Sequence, residues 1–99
     1  MKLFAQLTGF EWDAGNNCKN QKHGVSAAEA EHIFFNKPII VTPDVAHSPT
    51  EPRFRALGST NEGRRLTVIF TIRSGNTLLR VISARDMHRK ERAIYDQEN

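Results

Sequence analysis

Arg85, His88, Arg92 and Tyr95 gather two fixed cations, an imidazole and a phenol in one short stretch. In a helix, steps of four and three residues place His88, Arg92 and Tyr95 on one face, with Arg85 just ahead at the exit of a strand. Such a set suits the handling of a phosphodiester. Phosphoryl transfer concentrates negative charge on non-bridging oxygens, so a protein mainly needs positioned cations and a group that moves a proton. Arginine serves best because its planar fork can hold two phosphate oxygens at once. The plainer reading of the same spacing is a solvated face, the commoner fate of Arg and Lys on a helix.

The elements that must position these residues can be read in chain order. Phe10-Glu-Trp-Asp13 introduces the first, with Trp12 as a core anchor and Asp13 as the N-cap of a short helix over 14–22. Gly15, Asn16, Asn17 and Asn20 are poor helix formers, so packing or function must hold that segment. Lys22-His23-Gly24-Val25 ends it, with Gly24 suited to the left-handed position after a helix. Ser26-Ala-Ala-Glu29 is a capping box. Ala27, Ala30, Ile33 and Phe34 form the apolar face of the helix it starts, and Asn36-Lys37-Pro38 stops that helix.

Strands follow over Pro38–Thr42 and over Arg53–Gly58, the latter placing Arg53 and Arg55 on one face and Phe54 and Ala56 on the other. Between them runs a polar loop from which Asp44, His47 and Glu51 can reach a site. Asn61-Glu-Gly63 is a turn, and Leu66, Val68, Phe70 and Ile72 line one face of a third strand. Ser74-Gly-Asn76 connects this strand to a fourth, in which Leu79 and Val81 alternate with Arg80 and Ile82. Asp86 is placed to cap the final helix. The expected fold is α+β: two N-terminal helices, a four-stranded antiparallel sheet and one C-terminal helix.

Hydrophobic content of 38% and charged content of 25% over 99 residues describe one globular domain with a single core. No apolar run approaches the roughly 20 residues of a membrane span, and Met1 to Phe10 lacks the apolar segment of a signal peptide. Cys18 stands alone and makes no internal disulfide, so the expected setting is the reducing cytoplasm. Charge is uneven: Arg53 to Arg92 holds ten Lys or Arg against three acidic residues, and Met1 to Pro52 four against six. A phosphate backbone is the commonest partner for such a basic half, and an acidic protein the next. Cys18, His23, His47 and His88 lack metal-ligand spacing, and neither a Gly-rich phosphate loop nor a nucleophile elbow occurs. No metal or other cofactor is expected.

Phe10-Glu-Trp-Asp13, Lys22-His-Gly-Val25, His47-Ser48 with Glu51 and Arg53, Ile82-Ser-Ala-Arg85, and Glu91-Arg92 with Tyr95 together resemble the BrnT family of toxins from bacterial type II toxin-antitoxin modules. The resemblance runs from Phe10 to Tyr95, with the pieces in order and in register. It implies a RelE-like fold and ribonuclease activity that blocks translation. It also implies neutralisation, in a hetero-oligomer, by a BrnA-type antitoxin whose other domain binds operator DNA. Many relatives carry a proline after the first Trp-Asp and a basic residue after Ser-Ala-Arg, where this chain has Ala14 and Asp86. Asp86 should lower the local positive charge.

The expected reaction is metal-independent cleavage of single-stranded or ribosome-presented RNA, with the ribose 2′-hydroxyl attacking the adjacent phosphate. Arg85 and Arg92 would clamp the phosphate with support from Arg53. His23 or His47 would act as the base, since histidine titrates near neutrality, with Glu51 as the alternative. Tyr95 would stack on a base or donate to phosphate. Lys22, Arg55, Arg80, His88, Arg89 and Lys90 complete the expected RNA-binding set. The rival reading is a non-catalytic module whose basic face only docks an acidic antitoxin or nucleic acid. Trp12 and Gly24 have sufficient structural explanations, and Glu91 can be read as the partner of a basic neighbour.

Overall fold

A computed structural model of the chain describes residues 8–12, 23–44, 52–73 and 77–98. In order, these hold β1 (Gly9–Glu11), α1 (Ala27–His32), β2 (Ile40–Pro43), β3 (Phe54–Ser59), β4 (Arg65–Arg73), β5 (Leu78–Asp86) and α2 (Arg89–Asp96). The strands form one sheet in the order β1-β5-β4-β3-β2. From β2 to β5 all pairings are antiparallel, while β1 runs parallel to β5 with Phe10 opposite Leu79. No helix among the described residues is long and apolar enough to cross a membrane.

The expected arrangement of two N-terminal helices, a four-stranded antiparallel sheet and one C-terminal helix is therefore corrected to a five-stranded mixed sheet. A three-residue strand is too short to show alternation, and a parallel pairing joins segments far apart in sequence, so no local signal reports it. The helix expected over 14–22 and its Asp13 cap lie outside the described residues, as do the connection at 74–76 and most of the loop after Asp44. Four strand assignments hold with shifted ends, the first of them beginning at Ile40 rather than Pro38.

One face of the sheet carries the main core. Ala56, Leu66, Val68, Phe70, Leu79, Val81 and Ala84 are buried there against Val25, Ala30 and Ile33 around α1. The predicted capping box is present: the Glu29 amide donates to Ser26 Oγ at 3.1 Å and the Ser26 amide to Glu29 Oε1 at 3.1 Å. Trp12 packs on this core and its indole N–H donates to Glu31 at 2.7 Å. A Cβ on Gly58 would fall 2.7 Å from the Ile33 Cβ, so glycine lets the α1 segment approach β3 closely.

The opposite face is only partly covered. Leu57, Met87 and Tyr95 form a second buried cluster there with Ile40, which seats α2. The parity of β5 makes this possible. Ile69 pairs with Ser83 while Phe70 pairs with Val81, which leaves Ile82 as an extra residue, a β-bulge. Leu79 and Val81 point to the main core before the bulge, and Ala84 does so after it. Arg85 consequently turns to the second face beside its cross-strand neighbour Thr67. Without the bulge, simple alternation would aim Arg85 into the main core.

One expectation about α2 is corrected: its N-cap is His88, not Asp86, which closes β5. Its inward face is Glu91 and Tyr95, while His88 and Arg92 are exposed. Tyr95 is only 1% exposed, and its hydroxyl donates to the Pro38 carbonyl at 2.7 Å while lying 2.8 Å from Ser59 Oγ. With the phenolic proton committed to Pro38, Ser59 is the donor to Tyr95. Tyr95→Phe leaves both partners unsatisfied and should lower stability by about 1–2 kcal/mol. Urea unfolding of the two proteins checks this as a lower midpoint with an unchanged slope.

Candidate functional site

Beyond the part of the second face that α2 covers, the sheet is concave. Asp44, Arg53, Arg55, Ile69, Ile82, Ser83 and Arg85 line a pocket of about 330 Å³ there. Strand parity explains the gathering: Arg55 lies opposite Ile69, which lies opposite Ser83, and Arg85 lies opposite Thr67 two pairs along, on the same face. Asp44 is tied to the start of β3 by its amide, which donates to the Arg53 carbonyl at 2.8 Å. Three arginines, Arg53 just before β3, Arg55 in β3 and Arg85 in β5, thus flank a floor supplied by β4 and the bulge.

Arg85 is held by Glu91. Its Nη1 and Nη2 donate to the two carboxylate oxygens at 2.8 and 3.1 Å, and Nη1 also donates to the Asp86 carbonyl at 3.1 Å. Glu91 Oε1 further accepts from Thr67 Oγ1 at 2.9 Å and from the His88 amide at 2.8 Å, while Arg55 Nη1 lies 4.0 Å from Oε2. The carboxylate thereby caps α2 and orients Arg85 in a single arrangement. Burial by itself would raise its pKa, but the hydrogen bonds from Arg85, the His88 amide and Thr67 outweigh burial and bring it down to about 2. The side chain of Glu91 is 11% exposed and that of Arg85 29%, so the arginine still presents part of its surface to the pocket.

The remaining predicted residues are distributed differently. Lys22, His47 and Glu51 lie outside the described residues. His23 is exposed in the turn before α1, where its carbonyl is 3.5 Å from Arg64 Nη2, and it is not among the residues lining the pocket. Arg92 is exposed on α2, lowers the Asp86 pKa through space and is not among the residues lining the pocket. Tyr95 is buried under α2 and does not stack on a bound base. Arg80 sits on the same sheet face, 3.6 Å from Glu11 at the β1 side. His88, Arg89 and Lys90 are exposed at the start of α2.

Arg64 is the functional-looking arginine that sequence reasoning passed over, and it serves the scaffold. It donates to Asp86 at 2.7 and 3.0 Å, to Glu29 at 3.2 Å and to the Gly24 carbonyl at 2.8 Å. Its hydrogen bonds hold the Asp86 carboxyl below the usual range. The negative charge of Asp86 is therefore matched by Arg64 on the far side of the sheet and is not left to weaken the pocket. Arg64 precedes β4 in a basic doublet with Arg65, and no local pattern links it to Asp86 or Glu29.

The family model described as the ribonuclease toxin BrnT of type II toxin-antitoxin systems matches residues 12–91. No curated protein matches the chain. The family match ends at Glu91, the residue that holds Arg85. Glu91→Gln should lower stability at pH 7 by roughly 3 kcal/mol, since it leaves Arg85 largely unpaired in a half-buried setting. The folded pKa of about 2 lies below the ordinary 4.5, so the ion pair stabilises fully above pH 4.5 and its contribution disappears as pH falls through 2. Urea unfolding should accordingly show a gap between wild type and Glu91→Gln that is wide at pH 7 and closes toward pH 2.

Proposed function

Because the chain belongs to the BrnT family of ribonuclease toxins of type II toxin-antitoxin systems, we propose that RNA is held and cut in the pocket on the second sheet face. The observation that carries this reading is the convergence of Arg53, Arg55 and Arg85 on one concave site. A scissile phosphodiester placed there meets three donor-only cations, which favour the extra charge of a pentacoordinate transition state over the ground state. Cleavage proceeds by attack of the ribose 2′-hydroxyl on the adjacent phosphate, which breaks the P–O5′ bond and yields a 2′,3′-cyclic phosphate and a 5′-hydroxyl protonated as it leaves, and no metal ion takes part, because the arginines supply the charge stabilisation. Arg85 and Arg53 act on non-bridging oxygens, with Arg55 beside them. The proton acceptor is His47 or Glu51, both carried between Asp44 and Arg53, two residues that line the pocket.

A type II toxin has an antitoxin as its partner, and here it is of the BrnA type, with operator DNA reached only through it. The exposed cations at the start of α2, Arg89 and Lys90 with His88, extend the basic surface along which RNA or ribosome-presented message runs. The activity belongs to the cytoplasm, where its substrate is.

The test avoids Arg85→Ala, which would strand the buried Glu91 and confuse unfolding with lost catalysis. Purified antitoxin-free chain is incubated with RNA in EDTA beside Arg53→Ala, Arg55→Ala and Arg85→Lys, with folding checked by circular dichroism. Wild type should leave 2′,3′-cyclic phosphate ends, and Arg53→Ala should cleave about 100-fold more slowly. Arg85→Lys keeps the charge but loses the fork, so it should be slow as well. Undiminished cleavage in all three variants would remove the pocket from the reaction, and cleavage abolished by EDTA would overturn its metal independence.

A further inference from the structure

A site that only gripped phosphate would be weakened by a carboxylate, yet Asp44 lines the pocket together with the three arginines. The volume of about 330 Å³ also exceeds what a phosphate needs. It falls at the small end of the roughly 300–1,000 Å³ range of small-molecule pockets. Ile69 and Ile82, both half-buried, supply an apolar wall that a phosphate cannot use but a flat base can lie against. The lining therefore divides into cations, an apolar surface and one group that only accepts hydrogen bonds.

These parts match one base better than the others. A carboxylate offers two acceptors side by side, and guanine is the base with two adjacent donors, N1–H and the N2 amino group. Its O6 and N7 accept from an arginine fork. Cytosine and adenine present one amino group next to a ring acceptor, and uracil presents a single N–H between two carbonyls that a carboxylate repels. Resting on the reading that this pocket holds RNA, we propose that it is a base-selective nucleotide subsite in which Asp44 reads guanine while Ile69 and Ile82 support the ring. Asp44 is suited to that task by its fixed backbone, since its amide is bonded to the Arg53 carbonyl at 2.8 Å. Asp44 is thus the specificity-determining residue of the cut.

The test titrates the antitoxin-free full chain with 5′-GMP, 5′-AMP, 5′-CMP, 5′-UMP and inorganic phosphate by calorimetry, beside Asp44→Asn. GMP should bind at least about tenfold more tightly than UMP, the lower end of what a bidentate base contact discriminates. In Asp44→Asn the ratio should fall toward one, because an amide offers the donor and acceptor that uracil can match. A uniform loss for all four nucleotides, with the ratio kept, would make Asp44 a mere partner of its arginine neighbours and overturn the proposal. Equal binding of all four by wild type would overturn base reading and leave the RNA pocket standing. Binding of neither nucleotides nor phosphate would take down both. Mapping of wild-type cuts gives an independent answer should Asp44→Asn fail to fold: guanine enriched beside the cut supports the subsite, and its absence refutes it.

Discussion

The buried carboxylate of Glu91 is the interaction on which the second face of the sheet depends. It receives hydrogen bonds from β4 through Thr67, from β5 through Arg85 and from the first turn of its own helix through the His88 amide. A neutral side chain of the same size could pack there, and glutamine could still cap the helix, but it would have one acceptor oxygen where the carboxylate gives both nitrogens of the guanidinium a charged partner. A buried pair of this kind is weak evidence for stability and better evidence for positional control. Here the controlled object is Arg85, a member of the pocket whose fork is set by a partner on another element. The orientation of Arg85 and the capping of α2 therefore share one carboxylate.

The bulge at Ile82 is the second requirement. It lets a strand that buries Leu79 and Val81 on one face bury Ala84 on that same face and still deliver Arg85 to the other. Bulges recur next to sites because an extra residue re-aims every side chain after it, which a uniform ladder cannot do. The extra residue is not idle, since Ile82 forms part of the pocket wall. Fold and site are thus adjusted by the same local irregularity.

Much of this was legible in the sequence where the signal is local. The capping box at Ser26 and Glu29 holds, as does the alternation in β3 that sets Arg53 and Arg55 on one face. Leu66, Val68 and Phe70 face the core, and the turn at Gly63, with φ of 88°, is present. What was not legible depends on tertiary pairing. The parallel strand Gly9–Glu11 announces itself only through its partner Leu78–Arg80. Helical spacing groups residues on a face without saying which face is inside, and that choice was made by Tyr95 and Glu91, which leaves His88 and Arg92 exposed. Arg64 carries no pattern at all; its partners lie 35 and 22 residues away.

The two residues that end β5 show how the halves are joined. Arg85 and Asp86 are consecutive, so they point to opposite faces of the sheet. Arg85 reaches Glu91 of α2, while Asp86 reaches Arg64, which also binds Glu29 of α1 and the turn at Gly24. Each helical cover is thereby fastened to the same end of the same strand by an arginine bridging to a carboxylate. A basic residue in place of Asp86, as the resemblance to BrnT toxins led one to expect, would set two cations against each other at Arg64. The acid at that position follows from the arginine across from it: Arg64 takes up the charge of Asp86 away from the pocket, where Arg53, Arg55 and Arg85 are set against the carboxylates of Asp44 and Glu91.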